Sequence, residues 1–399
     1  MSGMGRQRPD RGTAAHVTKE GRMSRHLRHA AVILAAVGAV LLIGSPAQAL
    51  GWTTVPSPNE IPGSNYLSGA DSTDASNVWA VGAVLPPRAG PSHSLVFRYD
   101  GVAWRSVPRT GLPGDETLGD VDAVSATDVW VVGNRTVGVL SSDTVAAHWN
   151  GTTWTREPTP NGSPGVFNSL SGVAAAGGTV WAVGTYVDPA SSSNRRKLIL
   201  QRAGGSWRIS AAPRVATYET LAAVDATGLA DAWAVGSATS DIQSGPLVPL
   251  ALRWNGTSWV SMTLPATGST ALIGVDARTP SDVWAVGSSR NADGTQPYVA
   301  HFDGVSWRRV ATPTFAGGGE LTDVVALSPT TVVAVGQSNY APLVMRWNGT
   351  SWTREATPEV SGNPHLTAAT PAGPSAVWAV GYRFELNAYA NRTLTMLGT

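Results

Sequence analysis

No cysteine occurs anywhere in the 399 residues. That excludes disulfide scaffolds, thiolate metal sites, cysteine nucleophiles and a lipidated cysteine at a processed N-terminus. Charged residues are few, at 14%, and no block of one sign interrupts the body of the chain. Bulk electrostatic binding of nucleic acid is therefore not expected. Beyond residue 49 histidine is confined to His93, His148, His301 and His365, with no His-x-His, His-Glu-x-x-His or nucleophile-elbow pattern. No segment of that part of the chain sustains a helical period. What is plentiful is glycine (44), proline (27) and tryptophan (16), at 42% hydrophobic content. That is enough for a core, and the glycine and proline stay below the level of a disordered low-complexity chain.

Residues 1–49 read as a signal peptide. Arg22, Arg25 and Arg28 precede an uncharged apolar run from Ala30 to Ile43, and Ala47-Gln48-Ala49 offers the small residues of a cleavage site. Met23 gives a leader of more ordinary length than Met1. The apolar run falls short of the roughly 20 residues a spanning helix needs, so no membrane span is expected after cleavage, and the mature chain is expected to be secreted. Of the 28 basic and 27 acidic residues the leader holds seven and two, which leaves 21 against 25. The apparent basicity belongs to the leader.

A Val-Trp-Ala-Val-Gly element recurs seven times, at Val78–Gly82, Val129–Gly133, Val180–Gly184, Ala232–Gly236, Val283–Gly287, Val332–Gly336 and Val377–Gly381. Its glycines step by 51, 51, 52, 51, 49 and 45 residues, a repeat period that makes the whole chain an array of one unit. Ahead of each element lies a leucine-led segment such as Leu118-Gly119-Asp120-Val121. Behind it come an apolar run and a turn before tryptophan, as in Trp254-Asn255-Gly256-Thr257-Ser258-Trp259. Asn-Gly and Asp-Gly between apolar runs signal a hairpin, here expected as a type I′ turn. Each unit thus supplies four short strands, a to d, and the pattern predicts an all-β, seven-bladed β-propeller of four-stranded blades over residues 50–399.

The ends predict how the ring closes. The seventh unit stops after its third strand, and the missing strand stands alone at Trp52-Thr53-Thr54-Val55-Pro56. The N-terminal strand is therefore expected to complete the last blade. Pro56, Pro108, Pro158, Pro213, Pro265, Pro313 and Pro358 fall near the end of strand d in successive units, where an edge strand tolerates a residue that cannot donate to a ladder. With its Asp-Val-Trp-Ala-Val-Gly and Trp-Asn-Gly-Thr-Ser-Trp motifs, the unit resembles the repeats of secreted bacterial β-propellers of actinobacterial type. The resemblance covers nearly all of residues 51–399 and implies a fold but no activity. The turn differs from the Asp-box of sialidase-type propellers, since the acidic residue directly precedes glycine (Asp303-Gly304), and Kelch and WD signatures are absent.

All sixteen tryptophans fall in repeat slots, six in the Val-Trp elements, seven at strand d and three before Asn-Gly, which assigns them to packing between blades. Asn150, Asn255 and Asn348 match a glycosylation sequon but sit where a tight turn needs Asn-Gly. His148 and His301 share a strand-c slot with Arg98, Gln201, Arg253 and Arg346, read as a polar group bonding the neighbouring blade. Asp71, Asp122, Asp225 and Asp276 recur four residues after the strand-a leucine. They are expected on the innermost strand, bonding local backbone near the a–b turn or, as the alternative, holding a channel cation such as calcium. No other cofactor is expected.

Binding is expected on the face formed by the b–c and d–a connections. Between the strand-b glycine and strand c the chain takes 6 to 13 residues of varied content, and variable connections on a rigid frame are the usual place for ligands. Tyr66, Phe167, Tyr186, Tyr218, Phe315 and Tyr340 gather there and are the candidate ligand-binding residues. The expected function is non-catalytic binding or scaffolding, as a monomer, of an extracellular glycan, cell-wall polymer or protein. The alternative is a glycan-active hydrolase or lyase using Asp115, Glu116, Glu219 or Glu320 as acid and base.

Overall fold

The computed structural model describes residues 50–399, except Arg88, Ala89, Pro113, Asp293 and the side chains of Ser192 and Ser193. The leader lies outside the described residues. Each sequence unit forms one antiparallel four-stranded meander, and there are seven of them. Blade 2 shows the plan: strand a is Glu116–Ser125, b is Asp128–Gly138, c is Ser141–Trp149 and the short d is Trp154–Glu157. Blades 1 to 6 span residues 64–106, 116–157, 168–209, 218–262, 269–310 and 320–354. Blade 7 takes three strands from His365–Gly398 and its outer strand from Trp52–Thr54, with Trp52 opposite Gly398 and Thr54 opposite Met396. The expected closure is the observed one.

One backbone irregularity recurs in every blade and explains the glycine of the Val-Trp-Ala-Val-Gly element. Strand a carries a β-bulge directly after its leucine, opposite that glycine, from Leu67/Gly69 in blade 1 to Leu366/Ala368 in blade 7. The bulge pushes the preceding carbonyl against strand b. A Cβ on Gly82 would lie 1.9 Å from the Tyr66 oxygen, and one on Gly236 2.0 Å from that of Thr220. Only glycine admits so close a backbone approach.

Tryptophans weld each blade to the next. The strand-b indole of one blade meets the strand-d indole of its successor nearly edge-on: Trp79 with Trp154, Trp130 with Trp207, Trp181 with Trp259, Trp233 with Trp307, Trp284 with Trp352, and Trp378 with Trp104 across the closure. Centroids lie 4.9 to 6.1 Å apart, the favoured geometry for aromatic pairs. At the remaining interface Val333 takes the strand-b slot and packs in one cluster with Trp52.

The c–d turns correct an expectation. In blade 4 the strands part after the Trp254–Trp259 pair, which leaves a four-residue loop. Asn255 Oδ1 accepts the N–H groups of Thr257 and Ser258, both at 3.0 Å, and only Gly256 has a left-handed φ, +95°. Asn150, Asn348, Asp100 and Asp303 repeat the arrangement. The side chain supplies the turn, so a second positive φ is not needed. The two-residue turn with both φ positive is found in blade 3, at Gly204-Gly205.

Candidate functional site

The two ends of the propeller differ in build. On one, a–b turns of two residues in blades 1 to 6 and of five in blade 7, together with the compact c–d turns, leave little relief. On the other, the b–c connections are mostly continuations of the ladder, not the loose loops expected. In blade 2 pairing runs from Val129–Trp149 out to Gly138–Ser141, and in blade 6 it closes on the Asn339-Tyr340 turn. Hairpins therefore project from this face, joined at their bases by the d–a connections.

The candidate aromatics occupy this face but do not converge. Tyr66 belongs to strand a of blade 1, where its hydroxyl accepts from Asn391 Nδ2 at 2.5 Å. Tyr186 lies in strand b of blade 3 and Tyr218 opens strand a of blade 4. Phe167 sits beside Tyr186, since its carbonyl accepts from Val187, and the Arg195 guanidinium covers its ring at 5.0 Å. Phe315 is only 8% exposed, packed in the blade 5–6 core, with its N–H and carbonyl held by the Gln296 amide at 2.9 Å each. Tyr340 is 74% exposed at the tip of its hairpin. Of the six, only Tyr340 is exposed.

The four aspartates of the inner strand do more than bond local backbone, as Asp225 does at the Ala226 N–H (2.8 Å). Each reaches forward to the next blade: Asp71 accepts from the Ala123 N–H (2.7 Å), Asp122 from Ala175 (3.1 Å), Asp225 from Ala277 (2.7 Å) and Asp276 from Ala326 (3.0 Å). All four are buried between blades. The channel itself, a cavity of about 390 Å³, is lined instead by Asp120 and Asp323 with Ser68, Ser171, Thr322 and Thr367. Asp120 and Asp323 also accept from the following blade, at Val173 and Ala369. Among the described residues no group of three or more His, Asp or Glu gathers as a metal site.

The strand-c histidines bond within their blade, not to the neighbour. His148 meets Asp128 at 2.9 Å and stacks on Trp130 at 4.3 Å, and His301 meets Asp282 at 2.7 Å and stacks on Trp284 at 4.3 Å. The same aspartates accept the indole N–H groups of Trp130 and Trp284. Strand pairing places a side chain of strand c beside strand b of its own blade, which decides the partner.

Of the four carboxylates considered for acid–base work, Asp115 directly precedes Glu116 at the head of blade 2, and Glu219 and Glu320 stand on blades 4 and 6. Glu116 (blade 2) is buried without a hydrogen bond, its nearest cation the Arg156 Nε at 4.0 Å, and desolvation pushes it up to about 7. Glu219 (blade 4) is buried against Lys197 Nζ at 2.8 Å and accepts the N–H groups of Val215 and Ala216. Glu320 (blade 6) is half-buried and lines a cavity of about 540 Å³ between blades 5 and 6, beside Gln337, Asn339 and Tyr340.

A row of residues not assembled by sequence reasoning adjoins Glu320. His365, first in strand a of blade 7, stacks on Tyr382 at 5.1 Å, and Tyr382 meets Tyr66 edge-on at 4.8 Å. Burial lowers the His365 imidazole and raises the Tyr382 phenol, and the Glu320 charge acts on both. The signal was present in the repeat. The slot before the strand-a leucine reads Tyr66, Thr117, Ser169, Thr220, Ala271, Glu320 and His365, small over blades 2 to 5 and functionalised over blades 6, 7 and 1.

No family model matches the sequence, and no curated protein sequence does. Solved structures do match. YCF48 from Cyanidioschyzon merolae aligns with a TM-score of 0.54 at 16% identity, and YCF48 bound to a D1 peptide with 0.53 at 12%, each over 88% of this chain and 98% of the other. An ulvan lyase of polysaccharide lyase family PL25 aligns with 0.48 at 11%, over 71% and 79%. Among the described residues no helix is long and apolar enough to cross a membrane. At these identities the likeness to YCF48 is one of fold, and it agrees with the strand order: the chain is a seven-bladed β-propeller closed by its N-terminal strand.

Proposed function

We propose that this chain is a secreted, monomeric, non-catalytic binding propeller that holds a protein partner on the b–c/d–a face. The observation that carries the reading is the apolar hairpin tip of blade 2. Val139 is 100% and Leu140 85% exposed, beside a groove of about 550 Å³ that Phe167 and Val187 help to line. Leu386 and Tyr389 are exposed at the corresponding end of blade 7. Aliphatic side chains held out on rigid hairpins suit the apolar centre of a protein interface, whereas a sugar-binding site would call for open aromatic platforms, and most of the aromatics here are packed away. A peptide ligand is known for the fold, since YCF48 has been solved with one. Glu219 is engaged in holding its own loop, which speaks against the acid–base alternative.

The test is to immobilise residues 50–399 and offer envelope and supernatant proteins of the host alongside a glycan array. The expected result is a protein retained by the native chain and lost on Val139→Asp with Leu140→Asp. Glycan binding that survives both substitutions would overturn the reading.

A further inference from the structure

Glu320 is unusual among the glutamates of this chain. Every other described glutamate that is not exposed has a basic or hydrogen-bonding side chain at 4.0 Å or less: Glu60 has Arg109, Glu116 has Arg156, Glu157 has Arg202, Glu219 has Lys197, Glu355 has Trp52 and Glu385 has Arg392. Among the described residues Glu320 has neither a hydrogen bond nor an ion pair, although it is half-buried at the wall of a cavity of about 540 Å³. No lysine or arginine lines that cavity, nor the central channel. A partly buried carboxylate that accepts no hydrogen bond is free to take a charge-assisted one from a cation brought to it.

The surroundings narrow the kind of cation. Tyr340 lines the cavity with an exposed side chain, while the stacked His365 and Tyr382, on which the Glu320 charge acts, lie outside its lining. An exposed aromatic ring and a single carboxylate in one cavity favour a flat, weakly hydrated cation that stacks while it donates two parallel hydrogen bonds, which describes guanidinium better than ammonium. The amides of Gln337 and Asn339 line the same cavity and offer carbonyl acceptors for the remaining N–H groups. We propose that the Glu320 cavity is a specificity pocket for an arginine side chain of the partner polypeptide. This rests on the protein-binding reading above, and it names a position distinct from the blade 2 tip.

The experiment is an NMR titration of residues 50–399 with acetyl-Gly-Arg-Gly-amide, following the His365 ring protons and the tyrosine rings. A saturable shift is expected, absent for the analogue with neutral citrulline in place of arginine. Glu320→Gln should weaken binding about tenfold or more, the loss that follows removal of a charge-assisted hydrogen bond. Tyr340→Gly, which suits the left-handed φ of +59° there, should weaken it without touching the carboxylate. Leu140→Asp should leave the titration unchanged, so a failure of the tip as a docking site and a failure of this pocket give different results. Equal binding of the citrulline peptide, or full affinity in Glu320→Gln with native near-UV circular dichroism, overturns the proposal, as does the absence of any saturable shift at millimolar peptide.

Discussion

Trp52 donates its indole N–H to Glu355 Oε2 at 2.6 Å across 303 residues of sequence. The other Glu355 oxygen accepts the Leu50 N–H at 3.2 Å, with Arg346 Nη1 at 3.8 Å. This is the interface where Val333 replaces the strand-b tryptophan found in the other six blades. The smaller side chain gives up aromatic contact, and a buried charge-assisted hydrogen bond stands in its place. The N-terminal strand is thus fastened to blade 6 as well as paired to blade 7.

Trp52→Ala should therefore cost roughly 3–5 kcal/mol, the range for removing a buried large aromatic, and Trp52→Phe less, since only the N–H and part of the ring are lost. Removal of residues 50–60 should lower the melting temperature further by opening the ring. Thermal unfolding followed by tryptophan fluorescence checks the series. A truncated chain that melts with the native one would mean that the ring is held without its closing strand.

The forward-reaching aspartates make a second prediction. Asp225→Ala leaves the buried Ala277 N–H without its acceptor, which should cost about 1–3 kcal/mol. Asp225→Asn keeps one oxygen to accept that hydrogen bond, loses the acceptor of the Ala226 N–H, and should cost less than alanine, which loses both. Because each of these carboxylates is already engaged with backbone, melting in millimolar calcium and in chelator should coincide. A calcium-dependent rise in melting temperature would instead return a cation to the inner strands, since a ligand bound only to the folded state stabilises it.

A third prediction concerns the bulge. Gly236→Ala places a Cβ 2.0 Å from the Thr220 oxygen, and the next nearest atoms, Leu221 Cα and Thr220 C, are also backbone, which leaves no flexible atom to yield. The expected cost is roughly 1–3 kcal/mol or more, as for overpacking of a filled site. Alanine at Gly114, which has open space around it, is the matched control and should be nearly neutral. Equal stability of the two variants would remove the explanation given for the repeated glycine.

These cases also show where sequence reading stops. Blade number, strand order, closure and the role of the tryptophans were legible because every copy must meet the same packing demand, so the slots repeat. The aspartate slots were equally visible, but their partners were not. The N–H that Asp122 bonds belongs to Ala175, 53 residues on, and only the angle between blades brings the two together. Phe315 read as an available loop aromatic because no repeat slot claims it, yet the Gln296 amide pins its backbone and the ring turns inward. Glu320, His365 and Tyr66 were each noticed singly. They become one row when the seven copies are aligned on the strand-a leucine, which each of the three directly precedes.

Glu116 makes the last prediction, on pH. It sits in the slot where Asn65 and Glu219 bond their own d–a connections, but its oxygens have no hydrogen-bond partner. Burial raises it from 4.5 to about 7; the nearby Asp115 adds to the rise, and Arg156 and Arg135 oppose it. A carboxyl raised in the folded state binds its proton more tightly there than in the unfolded chain. Between the two values folding therefore takes up a proton, and stability falls as pH rises. The loss begins near the unfolded value of 4.5 and is complete above about 7. His365, held below 6.5 by burial, contributes the opposite slope between its lowered value and 6.5, so the wild-type curve alone is a sum of the two. The difference between wild type and Glu116→Gln isolates the carboxyl. The glutamine variant should be the more stable at pH 8, by about 1–3 kcal/mol, as expected when a buried charge that accepts no hydrogen bond is removed, with the advantage shrinking toward pH 5. Chemical denaturation at pH 5, 6, 7 and 8 measures it. A constant difference across that range would mean that Glu116 does not titrate there, and that the cations of Arg156 and Arg135 hold it ionised despite its burial.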